Sequence, residues 1–230
     1  MSTILEEALD SELTTPPQRL QTTMAAVRVS FVWLGVRKTL TPEQKAEAAE
    51  PFGTDARFLS AGKRLLDTSH PMFKQLTAVR NRILAYWKAM SLPYPEAGIR
   101  LIRQDRVDVF SAKMREFQGD LAEAVATLER HYDDLKTMAR QRLGSLYNPA
   151  DYPGSLQKMF AVDFDFPSVE PPDYLQQLNP ALYEEQCRRM QSRFDEAVKL
   201  AEEAFLTELA KLVSHLTERL SGHDDGKPKI

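Results

Sequence analysis

Two carboxylates stand two residues apart in "MFAVDFDFPSVEPP", at Asp163 and Asp165. Paired acids at this spacing fall on one face of a strand, where they can hold a divalent ion or divide acid and base roles. A metal site needs further ligands, and a catalytic pair needs a reason for the two pKa values to separate. Neither is visible nearby, so the pair is read as the wet face of a strand, with Phe160, Val162, Phe164 and Phe166 on the other face. Asp163 and Asp165 stay weak metal candidates. No cofactor and no catalytic residue is assigned.

The other reactive side chains stand alone. His70, His131, His215 and His223 form no His-x-x-x-His or Glu-x-x-His pair. His131 falls on a heptad core position, where a polar residue often sets register. Cys187 is the only cysteine and lies on an apolar helical stripe, so it is read as a small hydrophobe, and no intrachain disulfide can form. P-loop, dinucleotide, zinc, serine-elbow and EF-hand patterns are absent from the sequence. This lowers the odds of an enzyme without excluding one.

Charge is unevenly distributed. The chain carries a formal net charge of −3, yet ten bases against three acids give 56–106 a net of +7, and fourteen acids against six bases give 163–225 a net of −8. Lys63, Arg64, Lys74, Arg80, Arg82 and Lys88 accompany Tyr86 and Trp87. Positive charge beside stacking rings is the minimal equipment for binding single-stranded nucleic acid. The competing reading is that these bases answer the acidic last helix. Tyr147, Tyr152, Phe166 and Tyr174 sit in loops rich in Pro and Asp, "LYNPADYP" and "DFPSVEPPDYL", and are the candidates for contact with a protein partner.

The elements that must position these residues follow from periodicity. The 230 residues, 43% hydrophobic with nine glycines, suit a mostly helical chain with a sizeable core. A short helix is expected to end at "TTPPQ". Val27, Val29, Phe31 and Trp33 alternate as in a strand; Thr41 and Pro42 start a helix; "ARFLSAGKRLLD" reads as helical; Met72, Phe73, Leu76, Val79, Ile83 and Trp87 form one helical face. "GIRLI" reads as a strand that pairs with the first. A heptad stripe of Phe110, Met114, Phe117, Leu121, Ala124, Leu128, His131, Leu135 and Met138 predicts a helix over 107–143, stopped by Gly144. A strand over 159–166 follows. From Pro180 a second stripe runs through Tyr183, Cys187, Met190, Phe194, Val198, Ala201, Phe205, Leu209, Leu212, Leu216 and Leu220.

The expected fold is therefore α+β and mostly helical: a long antiparallel, coiled-coil-like helical hairpin with a small head of two or three strands and shorter helices. The expected divisions are an N-terminal segment over 1–25, a strand and basic helical part of the head over 26–106, the hairpin over 107–221 with its intervening strand, and a tail over 222–230. A stripe left exposed would seek a second copy. "MSTILEEALDSEL" lacks the pattern of a signal peptide, no run of apolar residues is long enough to span a membrane, and the lone cysteine fits a reducing compartment, so a cytoplasmic protein is expected.

The order of "VRVSFVWLGVRKTL", "GIRLI", "HYDDLKTMARQRL" and "YNPADYPGSLQKMFAVDFDFPSVEPP" before a last long helix resembles a bacterial and phage family, domain-of-unknown-function family 3150. The resemblance spans about residues 27–220 and rests on aromatic and proline positions. It implies a partner role beside AAA+ ATPases of the MoxR or cobaltochelatase type and proteins with von Willebrand-type domains. The family carries no catalytic residues to transfer. Two functions from different classes are thus expected: an interaction or scaffold subunit, or a nucleic-acid-binding component of a phage, mobile-element or defence complex.

Overall fold

The structure is a computed structural model that describes residues 15–220. Its elements in chain order are α1 (Pro16–Thr23), β1 (Met24–Trp33), β2 (Arg37–Thr39), α2 (Pro42–Ala49), β3 (Gly62–Arg64), α3 (Pro71–Ala89), β4 (Leu92–Pro93), β5 (Ile99–Arg103), α4 (Val107–Arg130), α5 (Tyr132–Leu143), β6 (Phe160–Asp165), α6 (Tyr174–Leu178) and α7 (Pro180–Leu220). The fold is α+β and mostly helical. One sheet has the order β4-β5-β1-β6, and β2 and β3 form a separate two-stranded ribbon. The chain divides into two compact units. Among the described residues, the first takes 15–29, Lys88–Phe110 and 164–220; the second takes Ser30–Trp87 and Ser111–Asp163.

In the first unit, α1 begins where the sequence predicted an end. Pro16 and Pro17 occupy its first turn, where a missing N–H costs nothing, and the Thr15 N–H donates to Gln18 Oε1 at 2.9 Å. The part of the expected helix before Thr15 lies outside the described residues. β1 pairs antiparallel with β5, with Ala26 opposite Leu101 and Arg28 opposite Ile99. The core joins Ala26, Tyr94, Ile99 and Leu101 to Phe194 and Ala197 of α7, and Leu20, Met24, Leu92, Val169 and Met190 pack against it. Arg100 donates to the Ser91 carbonyl at 2.7 Å and to Ser91 Oγ at 2.8 Å, tying β5 to the turn after α3.

The second unit is built on three helices. α3 buries Phe73, Leu76, Val79, Ile83 and Trp87, the face its three–four spacing predicts. The stripe of α4 and α5 departs from the expected one. Its buried positions are Phe110, Met114, Phe117, Leu121, Val125, Leu128, Tyr132, Leu135 and Ala139. Val125, Tyr132 and Ala139 replace the expected Ala124, His131 and Met138. The observed steps average close to 3.6 residues rather than 3.5, the period of a straight helix on a globular core and not of a supercoiled seam. His131 is exposed, and its N–H turns back to the Leu128 carbonyl at 3.1 Å, so the single predicted helix is interrupted there. Gly144, with φ of 53°, ends α5 as expected.

The segment "ARFLSAGKRLLD" is not a helix. It holds one 3₁₀ turn, Ala56–Phe58, and then β3. A Cβ on Gly62 would lie 3.1 Å from the Lys38 carbonyl oxygen, which favours glycine where the ribbon strands meet.

Candidate interaction surface

β6 alternates as its sequence predicts: Phe160 and Val162 are buried and Asp163 and Asp165 are exposed. Asp165 takes both branches of the Arg28 guanidinium, at 2.9 Å and 2.5 Å, which lowers its pKa from the ordinary carboxylate value. This is a cross-strand ion pair, half exposed on both sides. Among the described residues no group of three or more His, Cys, Asp or Glu is placed to hold a metal ion.

The basic candidates do not form one surface. Lys63 is buried. Its ammonium group meets Asp151 at 2.6 Å and donates to the Leu146 carbonyl at 2.7 Å. The Asp151 side chain is only 2% exposed and also meets Lys38 at 2.5 Å, so hydrogen bonds from Lys38 and Lys63 hold its carboxyl below the usual range. Together these residues fasten the β2–β3 ribbon to the loop after α5. Arg80 lies over the rings of Phe31 and Trp33, at 5.3 and 4.8 Å, with its Nε buried away from any hydrogen-bond partner among the described residues. Arg82 pairs with Asp120 at 3.2 Å. Arg64, Lys74 and Lys88 are exposed. Three of the six charges, Lys63, Arg80 and Arg82, are therefore engaged inside the second unit.

The four contact candidates part in the same way. Tyr147 and Tyr152 stack with 5.1 Å between ring centroids, and the Tyr152 hydroxyl donates to the Leu65 carbonyl at 3.0 Å. Burial pushes the Tyr152 phenol up to about 12. These two rings brace a loop. Phe166 packs edge-on against Phe110 and Phe164. Phe166 remains 38% exposed, and Tyr174, on α6, is the most open of the four at 60%.

The surface with the most unmet apolar area lies on α7. Its stripe is used as far as Phe194 and Ala197, which are 3% and 1% exposed, and is half-buried to Ala201. From 202 to 219 every side chain is exposed. That stretch includes Phe205 at 67% and Leu206, Leu209, Leu212, Val213 and Leu216 at 45% to 62%. Each large apolar side chain left in water forgoes roughly 1.5–3 kcal/mol that burial would supply. Six in about 18 Å of helix make a contiguous patch rather than scattered surface residues. The sequence stripe named Phe205, Leu209, Leu212 and Leu216 but missed Leu206 and Val213. The signal for them is the second series Leu206, Leu209, Val213, Leu216, whose steps of three, four and three run beside the first.

The remaining candidates are placed as follows. His70 and His131 face each other with 6.3 Å between ring centroids, at the start of α3 and the end of α4. The His70 Nδ1 accepts from the Met72 N–H at 3.4 Å, as a cap of α3. The Cys187 thiol is half-buried on α7; His215 is exposed there, and His223 lies outside the described residues. A groove of 770 Å³ in the first unit is lined by residues such as Thr22, Met24, Ala89, Ser91 and Leu92, and by Arg103, whose guanidinium is satisfied by Asp105 at 2.8 Å. No described helix is long and apolar enough to cross a membrane. No family model, curated protein or solved structure matches the chain.

Proposed function

We propose that this chain is a non-enzymatic interaction or scaffold subunit of a bacterial or phage multi-protein system, and that it docks through the distal half of α7. One observation carries the reading: a continuous apolar stripe, Phe205 to Leu216, stands exposed on a well-formed helix with nothing among the described residues covering it. A helix face of this kind enters a hydrophobic groove or lies along another helix, with anchors at three- and four-residue spacing. An antiparallel pairing of α4 and α5 with α7, the hairpin suggested by the two stripes, is a way for one chain to cover such a face; the proposal gives the face to a separate polypeptide instead. The resemblance to domain-of-unknown-function family 3150 would make an AAA+ ATPase a member of the same assembly, with this chain as its adaptor.

The test is recovery of partners from the native host with the full tagged chain and with a Leu209→Glu, Val213→Glu variant. A defined protein recovered with the first is expected to fall roughly tenfold or more with the second, the loss typical of anchor residues. An identical set of proteins from both would remove the reading.

A further inference from the structure

The distal half of α7 carries a charge pattern as well as an apolar one. From 199 to 208 there are three glutamates, Glu202, Glu203 and Glu208, against Lys199, a net of −2. From 209 to 220 Lys211 and Arg219 stand against Glu218, a net of +1. The two halves of one short exposed stretch therefore differ in sign.

We infer that the occupant of this stripe is a second copy of the same chain, lying antiparallel along 203–219 about a two-fold axis. The inference rests on the proposed docking role of α7. Leu206, Leu209, Val213 and Leu216 occupy the alternating inner positions of a two-helix seam. When Leu209 faces Val213 of the second copy, Leu206 faces Leu216 of the second copy, and every inner position meets an apolar residue. On one flank Leu212 meets its own counterpart and Phe205 meets Arg219 of the second copy, a ring beside a cation. On the other flank Ala210 meets its counterpart, small against small, so the helices can approach closely. The Glu202–Glu208 end of each copy lies level with the Lys211–Arg219 end of the other. A parallel arrangement would set the −2 ends side by side and the +1 ends side by side. Helix dipoles favour the antiparallel choice in the same sense. The contact is isologous, and it closes at two copies.

Sedimentation equilibrium and directed cross-linking of the full chain test this. The expected mass is twice the 26.2 kDa of one chain, falling to one chain in Leu209→Glu, Val213→Glu, whose circular dichroism should match the parent because both positions are exposed. In a Cys187→Ser background, a Leu209→Cys chain mixed with a Val213→Cys chain should form a disulfide-linked pair under copper–phenanthroline and air, while neither chain links to itself. A monomer up to the solubility limit, Leu209→Cys linking to itself, or no link in the mixture would each overturn the antiparallel pair. If the cross-link fails while the glutamate variant still loses a host protein, the stripe serves that protein and only the self-pairing is wrong. If the cross-link forms and no host protein is lost, the self-pairing stands and the wider docking role fails.

Discussion

Two stripes that look alike in the sequence meet opposite fates. Along α4 and α5 the apolar positions are buried from Met114 to Ala139; along α7 burial stops at Ala201 and the pattern continues into solvent. Periodicity thus reports that a helix has an apolar face, not that the face is covered. What differs is the supply of neighbours. The face of α4 and α5 meets side chains from several elements: Phe117 stacks on Tyr86 of α3, Gln118 Nε2 donates to the Val162 carbonyl of β6, and Glu129 accepts from the Leu156 N–H. The first half of α7 meets α1, α6 and β4. In the second half every side chain from 202 to 219 is exposed, and the pair Lys211–Glu208 lies within the helix itself.

The sharpest way to break this contrast is to place the same charge in each stripe. Leu128→Asp sets a carboxylate in a site with no exposure and should abolish folding of the second unit, as seen by circular dichroism and urea titration. Leu209→Asp should leave the stability of the isolated chain within about 0.5 kcal/mol. Equal effects would mean that the two faces are covered alike.

A smaller but still large effect is expected at Asp151. Its removal by Asp151→Ala leaves the Lys63 charge buried without its acid and should cost about 3–5 kcal/mol in urea unfolding. Arg28→Ala, which removes the half-exposed partner of Asp165, should cost no more than about 1 kcal/mol. These two substitutions compare a buried ion pair with an exposed one in the same chain.

Acid should act on the second unit through the same groups. The carboxyl of Asp67, held by Ser69 and Arg142, and that of Asp151, held by Lys38 and Lys63, both titrate below their ordinary value of 3.8. Depressed acids stabilise the fold above the unfolded value and lose that contribution as pH falls through the folded one. Thermal melting should therefore be flat near neutrality and decline below about pH 4, and the decline should be shallower in Asp67→Asn, whose starting stability is already reduced. A decline of the same steepness in this variant would show that other groups carry it.

The smallest effect is expected at Tyr152→Phe. It removes one hydrogen bond to the Leu65 carbonyl and should cost about 1 kcal/mol.

Much of this contrast was legible in the residues. Alternation at Val27–Trp33 and Phe160–Phe164 placed two strands, and "GIRLI" paired with the first as expected, Leu101 opposite the buried Ala26 and Ile99 opposite Arg28. Thr41 with Pro42 marked the start of α2, and the capping contact between the Gln44 N–H and Thr41 Oγ1 bears this out at 3.3 Å. Pro16 and Pro17 misled because proline ends one helix and begins another with equal ease, and only the Gln18 side chain returning to Thr15 decides which. His131 misled because the 3.5- and 3.6-residue periods separate by only about 0.1 residue per turn, so both stripes share Leu121, Leu128 and Leu135 and differ by a single position between them, as at His131 and Tyr132. The bases at Lys63 and Arg80 looked like a surface because sequence gives charge without burial; their partners, Asp151 and the rings of Phe31 and Trp33, come from distant parts of the chain. The openness of α7 was the least legible feature, since it depends on which neighbours the fold brings to the stripe, and among the described residues none buries 202–219.

Hydrogen exchange on the dilute, isolated chain tests the central claim most directly. Amides of 202–219 should exchange far faster than those of 114–139, because an uncovered helix opens locally while the buried one opens only with its unit. Raising the protein concentration should slow 202–219 and leave 114–139 unchanged. Equal protection of both stretches at every dilution would show that the chain covers the α7 stripe itself and would contradict the account.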